Sequence, residues 1–403
     1  MSLRKELSTA DLIMMGLGNI VGAGIFVIIS KLIFYGGNTV LLSIFIISFV
    51  SLVMGYIYLF LYDKYNSELV EYYAIRDNFG EYAGTASQFL IYFFAVASCV
   101  VISVSLTKYI THAGYYTNTT KWDKIITTGL ILIMSYINYC GITVSKNVIN
   151  TIGASMLALL GGIIILGIID MKRGIKNGIK NDNKSGINGF IIATILSIFL
   201  FNGYDIIVKM SAETKDNDNV GFATMASIGI TAVIYIFILI VVMRVLGIKL
   251  AGSTHHPLSL IYEKLMNKNA AQLSYIIGGF IMFNTAFISL LGGTRFFYGN
   301  IKNNNSFNHL NSYGSPDICI LLTGILAIIL SLIQNEVILA IITNFTVILI
   351  LILLNLSYLK IKWNEDENNI NKFIYEGIPF IIVLVLLIYL FVQIIYLKYK
   401  GAF

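Results

Sequence analysis

The chain has 403 residues, of which 57% are hydrophobic and 12% charged, with a mean hydropathy of +0.81 and a formal net charge of +6. A soluble domain carries about 25% charged residues, so this composition excludes a water-soluble globular protein and describes a chain that crosses a membrane many times. The positive charge is spread over short joints and forms no basic block, which argues against a nucleic-acid partner and leaves the lipid bilayer as the surrounding medium.

Apolar runs between polar punctuation predict about eleven spans, each close to the ~20 residues that a crossing needs. The first, 10–35, follows the polar start MSLRKELSTAD and carries GLGNIVGAGIFV at 16–27. The second, 39–62, is followed by the polar stretch EYYAIRDNFG at 71–80. Spans at 80–106, 122–141 and 147–170 lead to the basic joint DMKRGIKNGIKNDNKSG at 170–186. The sixth, 187–212, is interrupted by FLFNGYD at 199–205. Spans at 219–247 and 272–300 follow, then 316–333, 336–359 and 376–398. Cys99, Cys140 and Cys319 lie in or beside apolar segments with no CxxC spacing, and read as small buried hydrophobes. Lys and Arg are shared between alternate joints, so charge alone does not orient the chain.

The first and sixth spans carry matching interruptions. Each glycine costs a helix about 1 kcal/mol relative to alanine, yet Gly22 and Gly24 sit about a dozen residues into the first span. Asn202, Gly203 and Asp205 sit at the same depth in the sixth. Division after the fifth span makes these corresponding members of two five-helix halves, the pattern that points to a secondary transporter's binding site. Backbone unwound in hydrocarbon needs a ligand, ion or cavity water as partner. Freed N–H groups suit a carboxylate and freed carbonyls an ammonium. A second reading of the first span is close helix packing, since Gly18 and Gly22 also form a GxxxG pair.

Polar residues inside spans are the other candidates. Asp205 either caps the second half of helix six or meets a substrate or proton directly. Lys209 and Glu213 follow at four-residue steps and suggest a gate or ion pair. Arg295, near the end of the eighth span, either pairs with such acids or reaches to the interface. Thr285 and Ser289 share one face of that span; their hydroxyls either complete a cation site with first-helix carbonyls or bond back to their own helix. His255 and His256, without neighbouring carboxylates, make no metal site. No HExxH, Ser–His pair or phosphate loop is present, so the chain reads as a non-enzyme with no cofactor.

These stretches resemble the amino acid–polyamine–organocation transporters. G-N-I-V-G-A-G-I-F at Gly18–Phe26 is similar to that family's first-helix signature, and FLFNGYDIIVKMSAETK to its sixth helix with the E-T-K that follows. EYYAIRDNFG is similar to the segment before the family's third helix, and NTAFISLLGGTRFFYG (284–299) to its eighth. The resemblance implies an all-α fold of two inverted five-helix repeats, 1–171 and 187–360, with broken helices 1 and 6 and an additional C-terminal helix at 374–403. It implies a permease of amino acids or related amines in the cell membrane, with a cytoplasmic N-terminus. It would seat the substrate carboxylate on the backbone of Gly22, Ala23 and Gly24 and the amino group on the carbonyls of Phe199, Leu200 and Phe201. The family mostly has twelve spans, against the eleven expected here, and no lysine stands near Ser155–Met156, where many proton-coupled members carry one. The expected coupling is therefore exchange first, a proton on Asp205 second and sodium at Thr285 and Ser289 third. The alternative function is a transport-inactive relative that senses or scaffolds.

Overall fold

A computed structural model describes residues 3–113, 120–172, 186–215, 219–254, 256–301, 309–365 and 370–399. The centres of the 170–186 and 301–315 joints, His255 and the last four residues lie outside the described residues.

The described residues form fifteen α-helices. In chain order these are α1 (Thr9–Gly36), α2 (Val40–Tyr65), α3 (Val70–Phe79), α4 (Glu81–Ala113), α5 (Thr120–Tyr139), α6 (Ile142–Lys172), α7 (Ile187–Phe201) and α8 (Asp205–Lys209). There follow α9 (Val220–Leu246), α10 (Ile248–Ser253), α11 (Pro257–Leu265), α12 (Lys268–Ile301), α13 (Asp317–Ser331), α14 (Glu336–Glu365) and α15 (Ile370–Tyr399). The eleven expected spans map onto α1, α2, α4, α5, α6, the α7–α8 pair, α9, α12, α13, α14 and α15. Among the described residues nine helical stretches are long and apolar enough to cross a membrane. The exceptions are α5 and α13. The 15 residues of α13 reach only about 22 Å at 1.5 Å per residue. Both still turn large apolar side chains outward, among them Ile125, Leu132, Leu321 and Ile329, as a lipid-facing surface requires. This is a multi-pass integral membrane protein.

Local sequence explains the ends. The Ser8 side chain accepts from the Asp11 amide while Asp11 accepts from the Ser8 amide, a reciprocal cap that starts α1 at S-T-A-D. Gly80, at φ +93°, turns the chain between α3 and α4. The core is built around α1, which packs on α7, α9 and α12, with α4 laid along α12 and α2 along α9.

Helix six is broken as expected. α7 ends at Phe201, Asn202 is extended, and Gly203 takes φ +116° before α8 starts at Asp205. A side chain at Gly203 would be strained there, and its Cβ would press on the Asn19 amide at 2.6 Å. Helix one is not broken. α1 is helical from Thr9 to Gly36 straight through Gly22–Gly24, which corrects the expected interruption. The glycines there serve contact. A Cβ on Gly22 would overlap the Thr285 hydroxyl, and one on Gly24 would stand 3.2 Å from the Leu200 Cα. Glycine lets α12 and α7 lie directly on the backbone of α1.

Candidate functional site

The break in helix six faces a cavity of about 550 Å³ between α1, α4, α12 and the α7–α8 pair. Helix six supplies Phe199, Asn202, Gly203, Asp205 and Lys209; α1 supplies Asn19, Ile20 and Gly24; α12 supplies Thr285 and Ser289; α4 supplies Phe94 and Ser98. Eight residues singled out from the sequence therefore meet on one void.

The break is held by side chains from neighbouring helices. The Asn19 amide donates to the Gly203 carbonyl at 2.9 Å and its oxygen accepts from Ser289 Oγ at 3.1 Å. One asparagine thus ties α1, the unwound turn and α12 together. The last four carbonyls of a helix have no partners within it. One of these, Leu200 O, lies 2.9 Å from the buried Tyr235 hydroxyl, which is also 2.8 Å from Ile20 O and has one proton for the two. The carbonyls expected to face an ammonium are thus not equivalent. Leu200 already has a donor, and Leu200 and Phe201 stand outside the cavity wall that Phe199 lines. The Asn202 amide nitrogen is buried without a partner and belongs to the wall of this cavity and of a second one.

Asp205 is the first residue of α8. The position before it is Tyr204, with no side-chain cap, so Asp205 is not the cap. Its carboxylate instead bonds the Lys209 ammonium one turn on. The expected Asp205–Lys209–Glu213 stripe is split, because α8 ends at Lys209 and Glu213 belongs to a 3-10 turn, Ser211–Glu213. Glu213 turns to α12, where Arg295 Nε and Nη2 reach its two oxygens at 3.0 and 3.3 Å, with both side chains 1% exposed. Arg295 Nη1 also donates to Asn138 Oδ1 at 2.7 Å. Pairing rather than reaching for the interface is Arg295's fate. The N-terminal segment lies over this clamp: the amides of Glu6 and Leu7 donate to Glu213 O, and Lys215 N donates to Leu7 O. Lys146 from α6 donates to Glu6 O at 2.9 Å. These contacts cover the Glu213–Arg295 clamp.

Thr285 Oγ1 lies 2.8 Å from Gly18 O and 3.1 Å from Ile281 O, so it both bonds its own helix turn and bridges to α1. Of Gly22 and Gly24, Gly24 lines the cavity. Asn19, Tyr235 and Asn138 are site residues that motif reading passed over. The signal for Asn19 was present, as a lone amide inside an apolar run. Tyr235 gave none, because a tyrosine in an apolar helix reads as core.

The described residues form an all-helical, multi-pass architecture in which the broken sixth helix lines a cavity with polar and apolar walls. The chain belongs to the amino acid permease family, whose pattern it matches over residues 7–401. It is similar to uncharacterized transporters of Mycobacterium bovis and Mycobacterium tuberculosis, at 24% identity over 262 residues, covering 64% of this chain and 57% of each relative. It is also similar to the chloroplastic cationic amino acid transporter 7 of Arabidopsis thaliana, at 22% identity over 325 residues, covering 73% of this chain and 54% of the relative. The chain spans a little over half the length of these curated relatives.

Proposed function

We propose that this protein carries amino acids, or amines sharing their charged end, by alternating access. In this scheme the first-half bundle of α1 and α2 rocks with the α7–α8 pair and α9 against the remaining helices. The observation that carries the reading is the broken sixth helix, which presents a buried, unpartnered Asn202 amide nitrogen beside Asp205 and Lys209 in the wall of the cavity. A zwitterion complements that wall. Its ammonium suits the carbonyl end of α7 and the Asp205 carboxylate; its carboxylate suits the Asn202 amide and Lys209. The backbone of Gly22–Gly24 offers no free N–H while α1 stays helical, so the carboxylate seat moves to helix six. Gly24 remains as the flat wall against which a substrate lies.

Counterflow in proteoliposomes tests this. Vesicles preloaded with unlabelled L-amino acids are expected to accumulate a labelled L-amino acid mixture without any ion gradient, with N-acetylated amino acids competing poorly. Equal competition by N-acetylated compounds overturns the ammonium assignment. Ligand binding without any counterflow would favour a sensor.

A further inference from the structure

Glu71 lies in the first turn of α3, outside the membrane-spanning stretches, yet it is 1% exposed. Its Oε1 accepts from the Tyr58 hydroxyl at 3.2 Å, and its Oε2 is buried with no partner. The side chain forms part of a second cavity of about 330 Å³, which shares Phe94, Asn202, Gly203, Asp205 and Lys209 with the first. We propose that Glu71 is where the transport cycle takes up and releases a proton, so that this carrier is proton-coupled through α3; the inference rests on the transport reading above.

The groups around Glu71 support this. α2 presents Tyr58, and the broken helix presents Tyr204, Asp205 and Lys209. α4 contributes apolar Ile91 and Phe94, and α14 apolar Val347, Ile350 and Leu351, while the α14 cation Lys360 is spent on Asn78 O. Two carboxylates therefore face one ammonium, and that ammonium is bonded to Asp205. The cluster carries one negative charge too many for a buried site, which is costly unless neutralised. A proton on Glu71 Oε2 removes the charge and turns an orphaned acceptor into a donor. Burial and the Asp205 charge push the Glu71 carboxyl up against the opposing pull of Lys209, to about 6. An ionised Glu71 competes with Asp205 for Lys209, and a protonated one leaves the Asp205–Lys209 pair intact. Through those shared residues the charge state of Glu71 is transmitted to the substrate cavity. The proton comes from water on one side of the membrane, forms an O–H bond at Oε2, and leaves to water on the other.

The test uses the full chain in proteoliposomes with a labelled L-amino acid mixture. An imposed acid-outside gradient is expected to stimulate wild-type uptake severalfold. Glu71→Gln is expected to continue counterflow and to lose the stimulation. Tyr58→Phe, which removes a donor to the ionised form, is expected to shift the pH midpoint of uptake upward. Stimulation retained in Glu71→Gln, or wild-type counterflow that ignores the gradient, overturns the proposal. So does a variant that keeps the stimulation and loses only basic amino acids, since that makes Glu71 a side-chain subsite. If the wild type shows no counterflow, the transport reading fails. The proton site is then decided by infrared difference spectra between about pH 8 and pH 5.5. A protonated-carboxyl band missing from Glu71→Gln supports it, and a band retained there refutes it.

Discussion

Single atoms decide how close the central helices come. A Cβ at Gly22 overlaps the Thr285 hydroxyl, so Gly22→Ala must push α12 away or turn Thr285 from Gly18 O. Overpacking of this kind costs about 1–3 kcal/mol, read as a lowered melting temperature in detergent. Thr285→Ala in the same chain is expected to recover part of the loss. Tyr235→Phe removes the one hydroxyl that serves Ile20 O and Leu200 O, and leaving a buried carbonyl unpaired costs about 1–3 kcal/mol. Glu71 gives a pH signature without any substrate. Its carboxyl is held at about 6 against an ordinary 4.5, so the folded protein binds that proton more tightly than the unfolded chain does. Its contribution to stability therefore rises as pH falls through about 6 and levels off below the ordinary carboxylate value. A pH series of thermal melts checks this, and Glu71→Gln is expected to flatten that part of the profile.

At the scale of elements, the contrast between helix one and helix six is instructive. Both carry glycines at matching depth, but the helix breaks only where a glycine is joined to polar neighbours. Asn202 and Asp205 flank Gly203, and Asn19 supplies the donor that the freed Gly203 carbonyl needs. Around Gly22 and Gly24 the neighbours are apolar, and the backbone keeps its own hydrogen bonds. Gly24→Val is expected to abolish counterflow while the protein still folds, because its side chain must displace α7 at the cavity wall, 3.2 Å from the Leu200 Cα. The Glu213–Arg295 clamp behaves as a buried pair. Truncating Arg295 alone, as Arg295→Met, is expected to cost about 3–5 kcal/mol by stranding the carboxylate, whereas Arg295→Met with Glu213→Leu recovers much of it. Thermal melts of the three proteins make the comparison.

For the whole molecule, the N-terminal segment ties the two halves of the chain together. Leu7 exchanges backbone bonds with Glu213 and Lys215, and Lys146 reaches across to Glu6. Removing residues 1–7 is expected to loosen closure on that side and to quicken counterflow. Composition and apolar periodicity were enough to determine a multi-pass helical membrane protein, its eleven helical elements and the break at FNGYD. These follow from local rules, namely the length needed to cross hydrocarbon and the cost of glycine beside polar residues. Motif reading also named Asp205, Lys209, Glu213, Thr285, Ser289 and Arg295 and the kinds of partner open to each, but did not choose among them. Pairing depends on which helices lie side by side, and that was decided by the tertiary fold. It gave Glu213 to Arg295 rather than to the Asp205–Lys209 stripe, kept α1 whole by setting α7 and α12 directly on its glycines, and carried Glu71 from a polar joint into the buried wall behind helix six. None of these can be read from the sequence, because each joins residues far apart along the chain.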